Sequence, residues 1–148
     1  MLLKDILSVK GNKVWTVRAD QTVHEALEIL VTHRIGALIV FGAQNEIAGI
    51  LSERDIMREC YHNNKGWESQ AVSKIMTKNL VVGTPDDSVD YVMGIMTQNR
   101  VRHVPVIKDK KLEGIVSIGD VVKAQLKDSQ YENRYLKEYL YGHNTSTE

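Results

Sequence analysis

The apolar residues of this chain change their period twice, in the same order each time. Val23, Ala26, Leu27 and Leu30 fall at helical spacing and make one stripe of an amphipathic helix over about residues 23–33. Two short runs rich in Val and Ile follow, over about 37–41 and 47–51, with the composition of buried strands. Gly42 to Glu46 between them reads as a hairpin connection. The succession then returns, with Val92, Met93 and Met96 on a helix over 89–99 and strand-like runs over about 103–107 and 112–116. A brief strand precedes each amphipathic helix, at Val14 to Val17 and at Leu80 to Val82, and a further helix closes each unit. The pattern predicts βαββα, twice.

The recurrence holds residue by residue. Asp20 to Val23 (DQTV) matches Asp86 to Val89 (DDSV), and Arg34 to Val40 (RIGALIV) matches Arg100 to Val106 (RVRHVPV), both at an offset of 66. Gly49 to Asp55 (GILSERD) matches Gly114 to Asp120 (GIVSIGD) at 65, so one residue is lost from the loop between Phe41 and Gly49. Thr22 with Glu25 has capping-box spacing at the start of the first helix, and Ser88 can cap the second. Neither copy has enough apolar surface to bury a sizeable core alone, so the expected fold is an α/β (α+β) pair of βαββα repeats related by a pseudo-twofold axis, with a cleft between them.

The segment boundaries follow from polarity. A first repeat is expected over residues 1–62, a polar glycine-containing linker over 63–71, a second repeat over 72–128, and a C-terminal helix and tail over 129–148. Asp5 to Leu7 resembles the turn at Val72 to Met76, as if each copy began with a short helix. Ser129 and Glu132 have capping-box spacing and open the last helix, carrying Tyr131, Tyr135, Leu136, Tyr139 and Leu140, while Gly142 to Glu148 is expected to fray.

Composition narrows the function classes. The chain has 148 residues, 43% of them hydrophobic, with 19 Lys and Arg against 19 Asp and Glu. Balanced charge gives no global basic field, which argues against nucleic acid as the default partner. No apolar run approaches the ~18 residues of a membrane span, and the start of the chain has no signal-peptide pattern, so a cytoplasmic protein with no membrane association is expected. Cys60 is the single cysteine and is expected to be a half-buried helix residue. His24, His33, His62, His103 and His143 show no metal-ligand spacing, so no metal is expected. Phosphate-loop and dinucleotide glycine signatures are absent. Ser117, His103 and Asp120 have the residue types of a hydrolase triad, but a serine at a helix cap lacks the strained elbow and oxyanion hole that such chemistry needs, and no catalytic residue is assigned.

The most specific short signal is Ser-x-x-Asp at a strand-to-helix junction, present as Ser52/Asp55 and again as Ser117/Asp120. As a capping box it stabilises a helix N-terminus. The same arrangement presents a hydroxyl and backbone N–H groups to a phosphate, and a carboxylate to both hydroxyls of a ribose. Both uses fit the residues.

Ile35 to Val40 with Gly49 to Asp55, and Arg102 to Val106 with Gly114 to Asp120, resemble the CBS (cystathionine-β-synthase) domain, and two in tandem resemble a Bateman module. The resemblance covers roughly residues 5–127. It implies a regulatory module, not an enzyme, that binds an adenine ligand: AMP first, NAD(H) or ATP next, S-adenosylmethionine last. It implies ribose contacts from Asp55 and Asp120, phosphate contacts near Ser52 and Ser117, and adenine held near Ala37 to Ile39 and near His103, Val104 and Pro105, the backbone of His103 more than its ring. Family members commonly pair as homodimers, so a homodimer is expected, with an unidentified protein target as the further partner.

The copies differ in their cations. The first has Gly36 and Arg54 where the second has Arg102 and Gly119. Arg54 and Arg102 are therefore candidates for phosphate contacts, or else solvated charges. Two other functions are weighed beside the sensor: a ligand-independent interaction or dimerisation module, and binding of single-stranded RNA through Arg100, Arg102, Lys108, Lys110 and Lys111.

Overall fold

The computed structural model describes residues 1–128 together with residues 134, 138 and 139. The expected C-terminal helix, with its Ser129/Glu132 cap, lies outside the described residues apart from those three positions. In chain order the elements are α1 (Leu3–Lys10), β1 (Thr16–Arg18), α2 (Val23–His33), β2 (Ala37–Phe41), β3 (Ile47–Ser52), α3 (Glu53–His62), a 3-10 turn (Trp67–Ser69), α4 (Val72–Ile75), α5 (Val89–Asn99), β4 (His103–Lys108), β5 (Lys111–Ser117) and α6 (Ile118–Asp128).

The local signals act as the sequence predicts. Thr22 Oγ1 accepts the Glu25 amide and the Glu25 carboxylate accepts the Thr22 amide, closing the capping box of α2. Ser88 Oγ accepts the Tyr91 amide at the start of α5. Both α2 and α5 end on a left-handed residue, Arg34 (φ 53°) and Arg100 (φ 55°), which stand at the same place in the two copies. Each hairpin carries one register shift, between Val40 and Phe41 and between Val106 and Ile107.

The first strand survives unequally. In the first copy β1 runs parallel to β2, with Val17 opposite Val40. In the second copy the strand expected at Leu80 to Val82 does not form, and a single parallel bridge remains between Gly83 and Val106, 66 residues on from each partner. The reason is local. In the first copy the ladder is extended at one end by the Ile39 amide donating to the Trp15 carbonyl and at the other by the Ala19 amide donating to the Phe41 carbonyl, and the matching donors in the second copy are Pro105 and Pro85, which have no amide proton to give.

Packing does not follow the repeat boundaries drawn from polarity. The described residues divide into two compact units, residues 13–81 on the one hand, and residues 1–12 with residues 82–128 on the other. Thus α1 closes the core of the second copy, where Leu3, Ile6 and Leu7 join Val89, Val92, Met96, Val104, Val106, Val116 and Val121. The stretch read as a linker, with α4 after it, closes the first copy: Val72 joins Val17, Val23, Leu30, Leu38, Val40, Leu51 and Ile56, with Trp67 packed against them.

The two closures use the same bonds. Leu3 N donates to Asp87 O and Lys4 N to Pro85 O, while Val72 N donates to Gln21 O and Ser73 N to Ala19 O. Antiparallel bridges Leu2 to Ser88 and Thr22 to Ala71 flank them. The likeness of Asp5–Leu7 to the Val72–Met76 turn is therefore one of role as well as sequence.

Candidate functional site

Each Ser-x-x-Asp motif sits where a hairpin's second strand turns into a helix. In the first copy Ala37 lies opposite Ser52 in the β2–β3 register, and in the second His103 lies opposite Ser117 in the β4–β5 register. The Glu53 amide donates to the Gly36 carbonyl (3.0 Å) and the Ile118 amide to the Arg102 carbonyl (2.8 Å), so each helix start is tied to the residue preceding its neighbouring strand. These bonds bring Gly36, Ala37, Ser52, Arg54 and Asp55 to one end of the first sheet. They bring Arg102, His103, Ser117 and Asp120 to one end of the second.

The capping half of the sequence reading is present in both copies. Asp55 Oδ2 accepts the Ser52 amide (2.9 Å) and hydroxyl (3.1 Å), and Ser52 Oγ accepts the Asp55 amide (3.3 Å). Asp120 Oδ2 accepts the Ser117 amide (2.8 Å), and Ser117 Oγ accepts the Asp120 amide (3.1 Å). Each carboxylate is thereby fixed at a helix N-terminus, facing the positive end of the backbone dipole. Ser52, Asp55, Ser117 and Asp120 are all half-buried, whereas Arg54 and Arg102 are exposed.

The apolar candidates divide by face. Leu38 and Val40 point into the core of the first copy, and Val104 and Val106 into that of the second. Side chains alternate along a strand, so Ala37 and Ile39, and His103 and Pro105, belong to the other face of their sheets. Ala37, Ile39 and Pro105 are buried there, outside the core clusters. Val104, which the resemblance placed near adenine, spends its side chain on the core instead and offers only its backbone.

Two further residues touch the carboxylates, and neither stands in a motif. Thr77 Oγ1 donates to Asp55 Oδ1 at 3.3 Å. In the second copy Lys10 Nζ donates to Asp120 Oδ2 at 2.7 Å and to the Ile115 carbonyl at 2.8 Å. Lys10 is 110 residues from Asp120 in sequence, and the contact exists because α1 packs on the second copy. Burial draws the Asp120 carboxyl upward, but the bonded Lys10 ammonium, with the Ser117 amide and hydroxyl, outweighs that and holds it below its ordinary 3.8.

Glycines let the docked segments approach. A Cβ on Gly49 would lie 2.7 Å from the Thr77 carbonyl, and one on Gly114 would lie 2.7 Å from Leu7 Cδ2. Gly49 and Gly114 are equivalent in the repeat, so each is the point at which the segment bearing Thr77 or Lys10 crosses its hairpin. Among the described residues, no cluster of His, Cys, Asp and Glu has a metal-binding arrangement, and no helix is long and apolar enough to cross a membrane.

The family model described as "CBS domain" matches residues 3–62 and 72–127. The chain belongs to the CBS-domain family. As a CBS-domain pair it is 40% identical over 139 residues to the CBS domain-containing protein CBSX3, mitochondrial, of Arabidopsis thaliana, covering 91% of this chain and 67% of that protein. Its fold matches the CBS-domain containing protein ATU1752 of Agrobacterium tumefaciens with a TM-score of 0.81 and 43% identity, covering 84% of this chain and 92% of the other. It also matches the CBS domain pair of protein MJ0100, solved in complex with 5'-methylthioadenosine and S-adenosyl-L-methionine, with a TM-score of 0.74 and 28% identity over 84% of this chain and 98% of that one. The mixed α+β fold of a CBS-domain pair expected from the repeat is the fold observed.

Proposed function

We propose that this CBS-domain pair is a regulatory module that binds an adenine nucleotide or nucleoside at its Ser-x-x-Asp junctions and signals through a protein partner or through assembly state. The observation that carries the reading is the doubled junction: two half-buried carboxylates, Asp55 and Asp120, each fixed by its own capping serine at a helix N-terminus. That geometry suits a ribose diol donating to the carboxylate and a phosphate near the serine and helix end. The adenosine ligands bound by the MJ0100 domain pair support the ligand class. Within that class AMP is the first ligand to test, then NAD(H) and ATP. S-adenosylmethionine comes last in that order, and methylthioadenosine joins the panel because of that neighbour.

Each nucleotide and nucleoside is titrated into the ligand-free protein while the melting temperature is recorded. A ligand that binds only the folded state adds about 2.7 kcal/mol of stability at a hundredfold excess over Kd and so raises that temperature. Asp55→Asn and Asp120→Asn keep the cap acceptor but remove the charge, and are expected to weaken binding. No shift with any ligand at millimolar concentration overturns the reading and leaves a ligand-independent interaction module.

Assembly as a homodimer is a second, compatible reading, favoured by apolar side chains left exposed on the helices. Val31 (69% exposed) and Met57 (63%) stand on α2 and α3, and Tyr91 (56%), Val122 (47%) and Leu126 (43%) on α5 and α6. A groove of about 500 Å³ lined by Leu27, Leu30, Val31, Ile35 and Ile56 together with the charged Arg34 and Glu53 includes the first of these residues. Sedimentation of the wild type against Val31→Asp tests it: a dimer that dissociates in the variant supports the reading, and a wild-type monomer rejects it.

A further inference from the structure

The two copies match in framework, in capping serine and in carboxylate, but differ in what the docked segment delivers to that carboxylate. At Asp55 it is the hydroxyl of Thr77, a neutral donor at 3.3 Å. At Asp120 it is the ammonium of Lys10 at 2.7 Å, which also donates to the Ile115 carbonyl at 2.8 Å. Lys10 is the last residue of α1, whose Leu3, Ile6 and Leu7 are anchored in the same core that supports α6. Its ammonium is thus held in place by buried packing at the other end of its helix, and the pair is only partly exposed, at 34% for the Lys10 side chain and 23% for Asp120.

A ribose offers a carboxylate two neutral O–H donors. At Asp55 these compete with two neutral hydroxyl donors, Thr77 on Oδ1 at 3.3 Å and Ser52 on Oδ2 at 3.1 Å. At Asp120 the Lys10 ammonium and the Ser117 amide share Oδ2, while Oδ1 accepts no bond among the described residues, so a diol that spans both carboxylate oxygens must displace a short charge-assisted bond at Oδ2 and leave the ammonium with the Ile115 carbonyl alone, which is the larger loss. We propose that Lys10 makes the two copies unequal: it holds Asp120 Oδ2 in an ion pair that a ribose diol spanning both carboxylate oxygens must displace, so that an adenine nucleoside fills the Asp55 copy first. This rests on reading the Ser-x-x-Asp junctions as nucleotide sites. Lys10 is then a specificity-determining residue supplied from outside the motif. Engagement of both Asp120 oxygens by a diol requires its release from Oδ2 at the end of α1, immediately before Gly11, which turns the chain with a φ of 96°.

The test is calorimetric titration of AMP, and separately of methylthioadenosine, into the full chain as wild type, Lys10→Met, Lys10→Gln, Lys10→Arg, Asp55→Asn and Asp120→Asn, each first shown to melt cooperatively. In the wild type, Asp55→Asn removes the tighter binding and Asp120→Asn the weaker. Lys10→Met and Lys10→Gln tighten the weaker site by roughly three- to tenfold, narrowing the gap between the copies, and Lys10→Arg keeps it. Binding that is tighter at Asp120 than at Asp55, or a gap unchanged or widened in both Lys10→Met and Lys10→Gln, overturns the role of Lys10 while leaving nucleotide binding intact. Absence of heat and of thermal shift with either ligand in the wild type and in every Lys10 variant overturns the nucleotide reading, and the role of Lys10 with it.

Discussion

Leu3 fills the space that a side chain on Gly83 would need: a Cβ built on Gly83 comes within 2.8 Å of Leu3 Cδ1, and Leu3 itself is fully buried. The equivalent of Gly83 in the first copy is Val17, also buried. The second copy has thus exchanged a strand side chain for one brought in by α1, 80 residues away in the chain.

That exchange predicts a specific coupling. Gly83→Ala is expected to destabilise the protein by about 1–3 kcal/mol through overpacking, and Leu3→Ala by about 2–5 kcal/mol through the cavity it leaves. Combined, the two changes should be less damaging than their sum, since the methyl at 83 enters the space vacated at 3. Denaturant unfolding of the four proteins measures this, and strict additivity would show that the residues do not share that space. Hydrogen exchange in Leu3→Ala should rise first in α5 and β4, not in α2 and β2.

Gly49 and Gly114 occupy equivalent places but face different neighbours. At Gly49 the nearest atom is the Thr77 carbonyl oxygen, part of a backbone bridge with Ile50, whereas at Gly114 it is the end of the Leu7 side chain. A side chain can rotate and a paired backbone cannot, so Gly49→Ala is expected to lower the melting temperature more than Gly114→Ala. The reverse order would mean that the Leu7 packing is the stiffer of the two.

Removing the Ser52 hydroxyl leaves the Asp55 amide without its cap acceptor. Ser52→Ala should therefore reduce stability by about 1 kcal/mol, with Ser52→Thr close to wild type. Chemical denaturation with a fixed m-value reads this directly.

The Asp120 carboxyl is held below its ordinary 3.8 by Lys10 and Ser117 against the opposing effect of burial. A carboxyl whose folded value is depressed lends stability that is fully present above its unfolded value and is lost as pH falls through the folded one. The stability difference between wild type and Asp120→Asn should therefore be constant near neutrality and shrink only as pH drops through 3.8 and below. Lys10→Met should weaken this acid dependence. A difference that changes between pH 6 and 8 would point to another group.

Much of the fold was written in the chain. The offsets of 66 and 65 locate both hairpins and both amphipathic helices, and the capping pairs Thr22/Glu25, Ser52/Asp55 and Ser117/Asp120 close as their spacing requires. Neighbours in sequence are not always neighbours in the packing. Residues 63–71, polar enough to read as a linker, hold Trp67 against the first core. The strand at Leu80 to Val82 has the composition of a strand but does not form, because Pro105 has no amide to donate to Val81 as Ile39 donates to Trp15.

The sequence by itself determined the repeat, the period of each element and the four residues of the Ser-x-x-Asp junctions, because these depend on local hydrogen bonds and on side-chain alternation within a few residues. Only the tertiary structure decided that α1 completes the second copy and α4 the first, that Val104 is spent on the core, and that Lys10 meets Asp120 where Thr77 meets Asp55. Those are contacts across 22 to 110 residues. They are set by which apolar face can be buried against which sheet, and that choice leaves no periodic mark on the chain.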